Sequence, residues 1–188
     1  MPILGIMASQ ISGHLIPPSS FYSIATVTAA GGETSLSFTS IPSTYKSLQI
    51  RSLVRTNGGA NASYFLYATY NSDSTAGNYD WHYLLGQGSV AYASGSTSTG
   101  NVIAGESASS GSTTGIFGTN IMDIIDYASS SKYKTSRVFW GANGNTAGGF
   151  SVGLASGLWQ STSAITSISI TGEAVFAAGS TFALYGVK

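Results

Sequence analysis

Gly105-Glu-Ser-Ala-Ser109 comes within one residue of a Gly-x-Ser-x-Gly nucleophile elbow. That motif works by holding its serine on a sharp strand-to-helix turn of an α/β sheet. Here Ser109 stands where the closing glycine belongs and Ser and Gly surround it, so Ser107 reads as an ordinary loop serine. Asp80 and His82 are two apart, which on a strand puts them on one face, where a carboxylate and an imidazole could serve a triad. Serine abounds in this chain, and its availability assigns no partner; a solvated or hydrogen-bonded His82 is the simpler reading. Asp123 and Asp126 are three apart, so a strand sends them to opposite faces and a carboxylate pair would need a bend between them. Asp126 is better placed to cap a turn into Ala128-Ser-Ser-Ser131. Two histidines and no cysteine are poor material for zinc. Asn71-Ser-Asp73-Ser-Thr75 alternates oxygen ligands as a calcium loop does, but lacks the glycine and distal glutamate that complete one. No catalytic residue, cofactor or metal site is assigned.

The aromatic residues suit binding better than catalysis. Eleven Tyr and three Trp can stack on sugar rings where they stand exposed. Tyr79, Trp81 and Tyr83 alternate along one strand face, and Tyr92 comes after them in a loop-like stretch, so these four are the candidate glycan contacts. The competing reading is that they fill a sandwich core or a subunit seam, which sheets and interfaces require anyway.

Composition narrows the classes. A chain of 188 residues fits one domain. Only 7% of residues are charged, and seven basic groups balance seven acidic ones. Nucleic-acid binding, which needs clustered Lys and Arg, is disfavoured. Without cysteine neither disulfides nor thiolate chemistry is available, and folding in a reducing cytosol poses no problem. A nearly neutral surface kept soluble by Ser, Thr, Asn and Gly favours association with other subunits.

Residues 1–18 differ in character from the rest of the chain. Ile3, Leu4, Ile6, Met7, Ile11, Leu15 and Ile16 are costly to leave in water, and Pro17-Pro18 closes the segment. A signal peptide would want a basic start, and a membrane span about 20 unbroken apolar residues. The segment is therefore expected to be an apolar arm that docks on a neighbouring subunit.

Beyond the arm the pattern is strand, turn, strand. Phe21–Ala29 ends at Gly31-Gly32, and Thr34–Thr39 alternates with Leu36 and Phe38 inward. Lys46–Arg55 sets Leu48, Ile50 and Val54 against Gln49, Arg51 and Arg55, with Leu53 marking a bulge. Tyr64–Tyr70, Tyr79–Leu85, Ile116–Tyr127, Ser136–Gly141, Phe150–Trp159 and Ile165–Thr171 supply further strands. Gly86–Gly115, dominated by small residues, is expected to form long loops. Ser180–Val187 is apolar on both sides and reads as an interior strand covered on two faces. No helical periodicity and no fixed repeat is present, which spells an antiparallel sandwich or barrel.

Four segments carry a family resemblance. They are Met1-Pro-Ile-Leu-Gly-Ile-Met-Ala-Ser-Gln-Ile-Ser-Gly13, Ile41-Pro-Ser-Thr-Tyr-Lys-Ser-Leu-Gln-Ile-Arg51, Ile121-Met-Asp-Ile-Ile-Asp-Tyr127 and Gly179-Ser-Thr-Phe-Ala-Leu-Tyr-Gly-Val-Lys188. In order along the whole chain, they resemble small virion structural proteins of tailed bacteriophages, including those of cyanobacteria and marine bacteria. The resemblance implies a jelly-roll-like β-sandwich on the outer surface of a particle, made in the cytoplasm of a bacterial host, where the Asn61-Ala-Ser63 sequon means little.

The expectation is thus an all-β, non-enzymatic protein: an antiparallel β-sandwich over residues 19–188 behind a docking arm, residues 1–18. Its expected role is capsid decoration, as a cement protein, through contact with the major capsid protein or other virion proteins. A homotrimer is favoured, with no nucleic-acid or membrane partner. The alternative is a tail or fibre appendage whose loops bind host surface glycans.

Overall fold

The computed structural model describes residues 20–143 and 151–188. The arm residues Ile3, Leu4, Ile6, Met7, Ile11, Leu15 and Ile16 lie outside them. Among the described residues there are twelve strands and no helix. These are β1 (Phe21–Thr28), β2 (Ser35–Phe38), β3 (Ser47–Val54), β4 (Ser63–Tyr70), β5 (Tyr79–Gln87) and β6 (Val90–Thr99). They continue with β7 (Val102–Ala108), β8 (Gly118–Ile125), β9 (Lys134–Gly141), β10 (Ser151–Trp159), β11 (Ile168–Gly172) and β12 (Thr181–Val187).

Two sheets form, one of eight strands in the order β1-β12-β3-β8-β9-β10-β5-β6 and one of four in the order β2-β11-β4-β7. With the hairpins β5–β6 and β9–β10 set aside, the remaining strands pair as β1-β12-β3-β8 and β2-β11-β4-β7. That is a jelly roll, with the chain crossing between sheets at almost every step. Both hairpins join the same edge, beyond β8, and double the width of one sheet. The expected jelly-roll-like antiparallel sandwich is what the chain forms, with this four-stranded extension added.

Alternation decides which side chains fill the sandwich. Leu48, Ile50 and Val54 of β3, Met122 and Ile124 of β8, and Phe182 and Leu184 of β12 face inward. They meet Leu66 and Ala68 of β4, Val102 of β7 and Ile168 and Ile170 of β11 in one apolar core. The extension is tied to that core by aromatic rings. Tyr79 of β5 stacks on Trp159 of β10 at 6.2 Å between centroids, and both contact Tyr70 of β4, at 6.0 and 5.6 Å. The Tyr79 hydroxyl donates to the Asp73 carbonyl (2.8 Å) and accepts from the Tyr70 amide (3.0 Å). Burial of this buttressing phenol pushes its pKa up to about 12.

Three expectations are corrected. Residues 86–115 are not long loops: they contain β6, an edge strand, and β7, buried on nearly every side chain. Leu53 marks no bulge. β3 keeps unbroken register with both neighbours, so Leu53 simply points outward, and the register shifts fall at Ser23/Ala25, Leu66/Tyr67 and Tyr79/Trp81. Finally, β12 is interior in the ladder, between β1 and β3, but only one face is sealed; Ala183, Tyr185 and Val187 stay half-exposed.

Leu184 is fully buried whereas Leu53 is 44% exposed. Leu184→Ala should therefore cost about 2–5 kcal/mol, counting lost transfer and the cavity left behind. Leu53→Ala should stay within about 0.5 kcal/mol. Urea unfolding of the two variants checks this, and equal losses would contradict the assigned facing of β3.

Candidate functional site

The extension has an outer face that no other part of the described chain covers. Its register lines up one row across four strands: Leu84 of β5 opposite Leu154 of β10, Leu154 opposite Phe139 of β9, and Phe139 opposite Ile121 of β8. Val152 stands beside them on β10. These five large apolar side chains are 44–56% exposed. A groove of about 710 Å³ runs along the row. On a monomer, contiguous apolar surface of this kind marks a place where something binds.

The cause lies in an inverted pattern. Inward, β10 presents Ser151, Gly153, Ala155 and Gly157 before Trp159 at its end; outward it presents Val152, Leu154, Ser156 and Leu158. The small residues face in because the inside is crowded. A Cβ built on Gly153 would stand 2.2 Å from the Trp140 ring, and one on Gly157 would stand 2.6 Å from Val102. Val152 and Leu154 are left facing water. Sequence reasoning places the strand but misses its meaning; the readable signal is large residues alternating with glycine and alanine rather than with polar groups.

A polar row borders the apolar one. His82, Ser156, Arg137, Asp123 and Gln49 align across β5, β10, β9, β8 and β3. Asp123 Oδ2 accepts from Arg137 Nε (3.1 Å) and Oδ1 from Gln49 Nε2 (2.8 Å), while Gln49 Oε1 accepts from Arg51 Nε (2.7 Å). The Arg51 guanidinium in turn lies over the rings of Phe21 and Tyr185, at 4.9 and 5.0 Å. An apolar centre with a polar rim is the anatomy of a protein interface.

The residues singled out for chemistry are dispersed. Ser107 sits on β7 and is buried, its hydroxyl hydrogen-bonded to the Tyr64 carbonyl and to Thr56. It is neither on a turn nor a loop residue. Asp80 and His82 do share the outer face of β5, but the Asp80 carboxylate accepts from the Ser98 amide and from Gln160. His82 packs on Gly95 of the neighbouring strand. Asp126 occupies the turn after β8 at φ 51°, paired with Lys132 at 2.6 Å. No group of three or more His, Asp or Glu among the described residues is arranged to hold a metal ion.

The four candidate glycan contacts do not make one platform. Tyr79 is wholly buried; Trp81 and Tyr83 stack on each other at 5.8 Å and are half-covered against the core. Tyr92, on β6, is exposed.

In the would-be calcium loop, Asp73 is already engaged. Its carboxylate accepts from Trp159 Nε1 (2.8 Å), Asn78 Nδ2 (2.9 Å) and the Thr75 amide (3.0 Å), which accounts for the residue as a staple between that loop and β10.

No family model matches the chain, and no curated protein does. Among solved structures, a crystal structure of a candidate pore-forming toxin from Bacteroides vulgatus aligns at 10% identity and a TM-score of 0.09. That alignment covers 85% of this chain, which spans 61% of the toxin chain; a likeness of this size carries no argument about fold or function.

The Trp159 indole is the first cause that holds the Asp73 carboxyl well below the usual carboxylate range. A carboxyl whose folded pKa is depressed stabilises the fold above its unfolded pKa, about 3.9, and loses that contribution as pH falls through the folded value. The wild type should therefore lose more thermal stability between about pH 5 and pH 2 than Asp73→Asn, which has no such proton to take up. Melting curves of both proteins across that range check the difference; parallel curves would remove Asp73 from the acid transition.

Proposed function

We propose that this chain is a non-enzymatic structural protein of a bacteriophage virion, and that it decorates the capsid. The observation that carries the docking part of this reading is the outer face of the extension, where Leu84, Leu154, Phe139, Ile121 and Val152 stand in register behind a polar rim. The resemblance of its four segments to small virion structural proteins supplies the particle. The occupant of the face is an apolar surface of a neighbouring capsid subunit, and the apolar residues 1–18 add a second point of attachment.

Magnitudes say how such a protein would hold. Covering the exposed half of each of the five side chains is worth about 1 kcal/mol apiece. Association costs an estimated 4–15 kcal/mol in lost freedom. One face alone is therefore a weak contact. A symmetric homo-oligomer, for which a trimer is our choice, presents the same face several times and converts weak contacts into avidity. Spread over a shell, such contacts oppose the outward pressure of packaged DNA without any chemical step.

Each part of this mechanism has its own test. Leu154→Asp puts a charge at the centre of an exposed row, so it should leave the melting temperature within a few degrees of wild type while abolishing incorporation into particles; normal incorporation would remove the face from the interface. Deleting residues 1–18 should leave a folded sandwich that joins particles poorly, and unimpaired incorporation would dispose of the arm. Labelled chain imaged on virions by electron microscopy should appear in many copies over the shell. A few copies at the tail would favour the appendage, and absence from particles would end the virion reading.

A further inference from the structure

The geometry points to a second site, on the inner side of the extension: a cleft that takes one sugar ring. It is distinct from the outer docking face and does not depend on it. β6 is the edge of the wide sheet and has no strand of the small sheet above it, so β5 and β6 form a shelf. On this shelf, facing β4 and β7, opens a cleft of about 290 Å³. Its size, at the small end of ligand pockets, suits a monosaccharide unit rather than an extended chain.

The lining has the two things a sugar needs. Phe65, Tyr83 and Tyr92 supply aromatic faces for the C–H side of a pyranose ring. Phe65 is held in place from two sides, 5.4 Å from the Tyr83 ring and 6.1 Å edge-on from Trp140, whereas Tyr92 is open to solvent. Glu106 lines the same cleft. Its Oε1 accepts from Ser63 Oγ (2.6 Å), and its Oε2 accepts from Trp140 Nε1 (3.0 Å) and from Ser151 Oγ. Its backbone amide donates to Asn120 Oδ1 (2.8 Å), which anchors the residue from behind.

A carboxylate has about four lone-pair sites, and the three donors leave Oε1 able to accept a further hydroxyl. The carboxylate is therefore oriented in advance. A fixed acceptor of this kind suits a ligand that donates O–H groups to it, and a hydroxyl-to-carboxylate bond is a strong one. A hydroxylated ring with one apolar face is the chemistry that uses aromatic wall and carboxylate together. Tyr83 and Tyr92 belong to this cleft; Tyr79 and Trp81, from the same sequence pattern, do not line it.

Saturation-transfer NMR with the full chain and the methyl glycosides of glucose, galactose, mannose and N-acetylglucosamine tests the assignment. At least one should bind, with a Kd on the order of 1 mM. Tyr92→Ala, which removes an exposed side chain from an edge strand, should keep the wild-type melt and weaken binding by at least about tenfold. Glu106→Gln should weaken binding to the same degree, because the amide offers one acceptor oxygen where the carboxylate offers two. Leu154→Asp should bind sugar like wild type. Binding of no glycoside, wild-type affinity in folded Tyr92→Ala, or loss of affinity in folded Leu154→Asp would each overturn the cleft.

Discussion

Close packing against the inner face of β10, by β7 from across the sandwich and by Trp140 from neighbouring β9, is the constraint on which the rest depends. Gly153 and Gly157 leave room for the Trp140 ring and for Val102, and no side chain larger than hydrogen fits at either place without displacing them. Because the inside is this crowded, β10 commits Ser151, Gly153, Ala155 and Gly157 to it. The large ones at 152, 154 and 158 then have only the outer face to occupy. One packing requirement thus produces both a dense interior and an apolar exterior. It also holds Trp140 where its indole can orient Glu106, so the cleft on the shelf shares the same cause.

The jelly roll and its extension are legible in the sequence to different degrees. Strands with large residues alternating against polar ones, such as β2 and β3, announce themselves, because period-two burial is what a one-sided sheet imposes. The final strand is equally plain, although its outward residues Tyr185 and Val187 are only half-covered. β6 and β7 are hidden for opposite reasons. β6 is an edge strand with both faces open, so nothing selects for hydrophobic alternation, and Ser, Gly and Thr fill its second half. β7 is buried on nearly every side chain, and Gly105 has no room for a Cβ beside Asn120; at φ 126° it also permits the register shift opposite Leu66 and Tyr67. Small-residue strands of either kind look like loops to any reading based on hydrophobic periodicity.

The sites are less legible than the strands. Glu106 comes into view only as part of a would-be nucleophile elbow, and the serine beside it draws attention because motifs are written around nucleophiles. What matters about Glu106 is its set of donors, from β4, β9 and β10, and no local pattern joins those three strands. Likewise Tyr83 and Tyr92 fall together with Tyr79 and Trp81 on spacing. Spacing gives the face of a strand correctly, yet cannot say how far the opposite layer extends over it, and here the cover ends between Tyr79 and Tyr92.

A face meant to be buried against another protein should not strand charges when water leaves. Removing one partner of a buried ion pair, or burying an unpaired charge, costs several kcal/mol, far more than any single apolar side chain on this face returns. The outer face meets that condition by internal pairing. Arg137 and Gln49 satisfy both oxygens of Asp123, Gln49 passes the chain to Arg51, and the guanidinium of Arg51 rests between Phe21 and Tyr185. The network runs across β9, β8 and β3 and ends on the aromatic rings of β1 and β12, so Asp123 is answered by Arg137 and the remaining positive charge, on Arg51, lies over the rings of Phe21 and Tyr185. In a chain with so few charges, placing three of them in one network beside this apolar row would lower the desolvation cost of the proposed docking, and leave Leu84, Leu154, Phe139 and Ile121 to supply the attraction.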